Sequence, residues 1–92
     1  MIVESCSINI LIYDSYSLKD KRSVLKSILE KSRQKFNVSI SEVGSQEIHN
    51  KAEIGISCVG NTNLICDQTI CSVLEFIEGN YNVDIIKKDP WF

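Results

Sequence analysis

The first twelve residues carry a two-residue period. Ile2, Cys6, Ile8, Ile10 and Ile12 fall on one side, Ser5, Ser7, Asn9 and Leu11 on the other, and only Glu4 breaks the alternation. Side chains alternate across a strand and never across a helix, so this segment is a strand with one buried face. Past a turn at Asp14-Ser15-Tyr16 the period becomes helical. At about 100° per residue from Lys19, the residues Leu18, Val24, Leu25, Ile28, Leu29 and Phe36 fall between about 140° and 280°, a single apolar stripe. Ser17 stands where a hydroxyl caps the helix, and Asp20 three residues on makes an approximate capping box. A strand buried on one face, followed directly by a helix buried on one side, calls for a sheet with helices laid over one face.

The rest of the chain repeats that logic. Val38 and Ile40 alternate with Ser39 and Ser41, Gly44-Ser45-Gln46-Glu47 interrupts, and Ala52, Ile54, Ile56 and Cys58 alternate with Glu53, Gly55, Ser57 and Val59. Gly60 ends that strand, and Asn61 or Thr62 can cap a second helix with Cys66, Ile70, Val73, Leu74 and Ile77 as its apolar face. Gly79-Asn80 stops it. Tyr81, Val83 and Ile85 then alternate with Asn82, Asp84 and Ile86 as a fourth strand, and Pro90 forbids ladder pairing beyond it. The order βαββαβ with right-handed crossovers is the ferredoxin-like α+β arrangement. It predicts a four-stranded antiparallel sheet in the order 4-1-3-2, with both helices on one face and the other face bare. At 92 residues the chain has material for one core, so residues 1–92 are read as one domain without a deep cofactor crevice.

In that order strands 1 and 3 are central antiparallel neighbours with even-numbered inward sets. Matching the sets end to end places Cys6 opposite Cys58, Ile8 opposite Ile56 and Ile10 opposite Ile54. The two cysteines would then have Cα atoms about 4.5 to 5.5 Å apart. The longest apolar run is four residues, Ile10 to Tyr13, and no basic leader precedes an apolar segment with a cleavage site, which predicts a cytoplasmic chain with no membrane partner. Cys6, Cys58, Cys66 and Cys71 are accordingly expected as reduced, buried thiols.

No constellation of catalytic type emerges. His49 is the single histidine and lies in a loop segment, Cys66 and Cys71 are too far apart around a helix to face one metal, and the four glycines form neither a dinucleotide fingerprint nor a phosphate loop. The chain is therefore read as a non-enzyme with no cofactor and no metal.

Charge is distributed unevenly. Residues 1–36 hold seven basic and four acidic side chains, residues 37–92 three basic and eight acidic. On helix 1, Lys19, Arg22, Lys26 and Arg33 fall within about 60° of one another beside the apolar stripe, and Lys19, Lys21 and Arg22 crowd the N-terminus, where the helix dipole disfavours cations. A phosphate held by Ser17, Lys19, Lys21, Arg22, Lys26 and Arg33 would reverse that sign, which suggests structured RNA or a ribosomal particle as partner. The plainer reading is that Asp14, Asp20 and Glu30 screen the cations and the lysine stems cover the sheet edge. Lys21, at about 200°, points along the apolar arc, so its stem should pack while its ammonium reaches out. On the bare face Ser7, Asn9, Glu53, Gly55 and Ser57 occupy positions where RNA-stacking aromatics would stand. Leu11, Val43, Val59 and Ile86 make it partly apolar, so a protein-interaction module that homodimerises through this face or an edge strand is the alternative.

Ser17-Leu18-Lys19-Asp20-Lys21-Arg22, with Val24-Leu25-Lys26, Phe36 to Val43, Gln46, Ala52 to Gly55 and Val73 to Glu78, resembles the YlxP-like family of small uncharacterised bacterial proteins over nearly the whole chain. The resemblance implies the ferredoxin-like fold, a bacterial cytoplasmic origin, and genes beside those for transcription and translation factors, ribosome-binding factor A among them. The chain departs from the family pattern at Ser45, where members often carry His, at His49, where they often carry Trp, and in a less basic second helix. The helix 1 motif is intact.

Overall fold

A computed structural model describes residues 1–90. Strand β1 runs Ile2–Ile12, helix α1 Leu18–Lys35, β2 Ser39–Gly44, β3 Lys51–Gly60, α2 Asn63–Asn80 and β4 Val83–Asp89. The sheet order is β2-β3-β1-β4 with every pairing antiparallel, which is the expected 4-1-3-2 read from the other edge. The core lies between this sheet and the helices: Ile8, Ile10, Ile54, Ile28, Ile70 and Ile77 are each 0% exposed.

Both caps are formed by side chains. Ser17 Oγ accepts from the Asp20 amide at 3.1 Å, and Thr62 Oγ1 accepts from the Ile65 amide at 3.2 Å. The Asp20 carboxylate reaches past the cap residue and accepts from the Tyr16 amide at 3.1 Å, so the capping box closes one residue further out than its usual form.

The β1–β3 register is shifted by two residues from the end-to-end match. Cys6 lies opposite Ile56, Ile8 opposite Ile54, Ile10 opposite Ala52, and Cys58 opposite Glu4. Amphipathic alternation fixes only parity: a one-residue slip turns every side chain over, while a two-residue slip keeps each on its face. Cys58 thus stands opposite Glu4 and against Cys66 of α2 rather than opposite Cys6. Cys6, Cys58 and Cys66 are buried free thiols, whereas Cys71 is exposed on α2, against the expectation that all four are buried.

The face of α1 toward the sheet also buries Ser32 at 0% exposure, and its hydroxyl has no hydrogen-bond partner among the described residues. An unmade hydrogen bond in an apolar setting costs about 1 to 3 kcal/mol, and alanine is the better helix former. Ser32→Ala is expected to raise unfolding free energy by about 1 kcal/mol, read as a higher urea midpoint at unchanged slope. A lower midpoint would mean that the hydroxyl fills space the core needs.

Candidate functional site

Two charged residues interrupt otherwise apolar faces, and they meet. Lys21 sits on the buried side of α1, and Glu42 follows Ile40 on the inward face of β2, opposite Ile54. Lys21 Nζ lies 2.9 Å from Glu42 Oε2 and donates to the Ser45 carbonyl at 2.6 Å, with the Gln46 carbonyl at 3.5 Å. The two carbonyls accept hydrogen bonds from the ammonium, and the Glu42 carboxylate balances its charge as an ion pair. The stem packs as expected, but the ammonium turns inward: Lys21 is 1% exposed. It is unavailable to an external phosphate, and the sequence expectation that included it is corrected. A basic motif residue here anchors the loop between β2 and β3 to the first turn of α1. The buried Ser15 fixes the same loop by donating its hydroxyl to the His49 carbonyl.

Arg33 is engaged at the other end of α1. Its Nη2 donates to the Ile40 carbonyl of β2 at 2.6 Å, drawing the guanidinium over an edge strand. Cover of this kind blunts an edge against pairing with another chain. At the opposite edge β4 ends in Lys87, Lys88 and Asp89, and Pro90 follows it.

Lys19, Arg22 and Lys26 remain exposed on α1, and no ion pair engages them among the described residues. Ser17 is committed as the cap, and the Asp20 carboxylate stands in the first turn, where it opposes an incoming anion. The free positive field therefore centres along the helix at Arg22 and Lys26 rather than at its tip. His49 is exposed in the anchored loop.

Titration shifts lie elsewhere. Glu4, the residue that breaks the β1 pattern, has its pKa raised by hydrogen bonding to the Asp67 carboxyl and by burial. Burial, the hydrogen bond with Cys66 and nearby negative charge push the Cys58 thiol up to about 11. Between the ordinary thiol value of 9.0 and about 11, the unfolded chain releases this proton and the folded chain keeps it. Stability is thus expected to fall as pH rises through that window, and the fall should be smaller in Cys58→Ala. Urea midpoints across the alkaline range measure it, and equal slopes in both proteins would contradict the assignment.

Among the described residues no group of three His, Cys, Asp or Glu side chains is placed to hold a metal, and no helix is long and apolar enough to cross a membrane. A two-layer βαββαβ protein with one open sheet face and a cationic ridge on its first helix is the class these features define. The chain belongs to the family described as protein of unknown function (DUF503), whose profile matches residues 3–89. It is 40% identical over 83 residues, covering 89% of this chain and 90% of the relative, to the uncharacterized protein YlxP of Bacillus subtilis (strain 168). Neither relation brings an activity with it.

Proposed function

We propose that this protein is a non-enzymatic cytoplasmic factor that contacts the phosphate backbone of structured RNA, alone or within a ribosomal particle, through helix 1. Lys19, Arg22 and Lys26 are its principal contacts, Arg33 extends the ridge while holding β2, and Ser17 fixes where the helix begins. The observation that supports the reading is that Lys19, Arg22 and Lys26 share one exposed side of α1 and have no carboxylate partner among the described residues, while the chemically similar Lys21 is buried in an ion pair with Glu42. From Lys19 to Arg33 the ridge spans about 21 Å of helix, enough to follow several phosphates.

The test is binding to a structured ribosomal RNA fragment as salt is raised. Affinity should fall steeply with salt, by about one power per phosphate contact. Lys19→Gln, Arg22→Gln and Lys26→Gln together should abolish binding with the circular dichroism spectrum unchanged. Undiminished affinity in the triple variant would overturn the reading. Salt-insensitive self-association without RNA binding would favour the homodimer alternative.

A further inference from the structure

The turn that leads into α1 is held at every residue and leaves one large ring free. The Tyr13 amide donates to the Asn82 carbonyl at 3.1 Å, and the Asp14 carboxylate accepts from Asn82 Nδ2 at 3.1 Å. Asp14 itself takes the left-handed conformation, with φ at 59°. Ser15 is buried and donates to the His49 carbonyl, the Tyr16 amide donates to the Asp20 carboxylate, and Ser17 caps the helix. The backbone of Tyr16 is thus fixed from both sides. Its ring is nevertheless 79% exposed, and its hydroxyl reaches the Asp14 carboxylate only at 3.4 Å. Tyr13, by contrast, has its hydroxyl committed to Asp84 at 2.6 Å.

An aromatic ring on a fixed turn has only two side-chain torsions to lose when it binds, whereas one on a mobile loop must order the backbone as well. Single exposed apolar groups are ordinary, and what distinguishes Tyr16 is its surroundings. Lys19 lies three residues on, and Arg22 and Lys26 follow, so these cations stand about 5 to 15 Å further along the helix axis. They are the ones without a carboxylate partner among the described residues. Beside the ring itself stand two carboxylates, Asp14 and Asp20. A phosphate is repelled there, while a flat neutral ring bearing amino groups finds acceptors. The helix therefore has room for an uncharged ring at its tip and for anions along its side, and a nucleotide joins those two parts.

We infer that Tyr16 stacks on an unpaired nucleobase whose neighbouring phosphates run along Lys19, Arg22 and Lys26. The inference rests on the reading of helix 1 as a phosphate contact and names the RNA that it takes. That RNA carries a bulged or looped-out base, since the face of a paired base is covered by its neighbours in the stack.

Two RNA duplexes with identical ends, one interrupted by a bulge of three adenosines, separate the contributions. The parent protein should bind the bulged RNA about tenfold more tightly, as expected of one stacked base. Tyr16→Ala should remove that preference while leaving the circular dichroism spectrum and the affinity for the plain duplex unchanged. The salt slope should also stay, because stacking releases no counterions. Tyr16→Phe keeps a ring and should retain the preference, whereas Tyr16→Leu, apolar without a ring, should lose it. Equal affinity of the parent for the two RNAs, full preference in Tyr16→Ala or Tyr16→Leu, or an equal loss on both RNAs would overturn the stacked base, while the triple variant at Lys19, Arg22 and Lys26 still reports separately on the ridge. Binding of neither RNA by the parent would overturn the ridge and the stacked base together.

Discussion

Glu42→Gln is expected to cost about 3 kcal/mol of unfolding free energy, at the lower end of what stripping one partner from a buried ion pair costs. The two ends of the pair differ in their access to water. The Lys21 side chain is 2% exposed and that of Glu42 21%, so losing the carboxylate strands an ammonium that cannot reach solvent, while losing the ammonium leaves a carboxylate that can. Lys21→Met should therefore cost less, about 1 kcal/mol, since its stem already packs as an apolar chain. Urea unfolding of the two variants decides the point. If Lys21→Met were the more damaging, the carbonyl contacts to Ser45 and Gln46 would outweigh the charge pair. If Glu42→Gln unfolded like the parent, the ammonium would have found another escape.

Ile54→Ala should be costlier still. Ile54 is 0% exposed in a central strand, lies between Ile8 and Glu42 on the helix side of the sheet, and its truncation removes three carbons from a layer that has no way to close. About 3 to 4 kcal/mol is the expected loss. A domain of this length holds roughly 5 to 14 kcal/mol in total, so the melting temperature should fall by about 15 °C or more. Val59→Ala, one strand face over and 56% exposed, should stay within about 0.5 kcal/mol of the parent. Comparable losses at the two positions would contradict the assignment of inward and outward faces.

Six elements and their order were legible because hydrophobic period is written into each segment independently of its neighbours. Ile8 and Ile10 on β1, and Cys66, Ile70, Val73, Leu74 and Ile77 on α2, are buried as their spacing indicates. Register was not legible beyond parity. The offset that puts Cys58 across from Glu4 depends on how the loops close, and no single strand records that. The direction of the Lys21 ammonium was missed for a related reason. Position on the apolar arc indicated a packed stem, but the acceptors that draw the charge inward come from β2 and the loop after it, 21 and more residues away. Glu42 carried a usable signal all the same: it follows Ile40 at the spacing of an inward residue, and a charge there needs an opposite one.

The central place of β1 has a consequence for the order in which the protein can assemble. Both partners of β1 come from the C-terminal half of the chain: Leu11 pairs with Lys51, about 40 residues later, and Ile12 pairs with Val83. On the ribosome β1 is made before both of its partners and stays unpaired until β3 has emerged, with α1 as the element made next to cover it. Pairings between distant segments form slowly. An unpaired strand with isoleucines down one side is open to mispairing with other nascent chains. Ser5, Ser7 and Asn9 on its other side, and Glu4 interrupting the apolar side, reduce that hazard during the wait. A stall that keeps β3 inside the exit tunnel would hold the chain at its most vulnerable point, whereas a stall once Gly60 has emerged would leave β1 able to pair along most of its length.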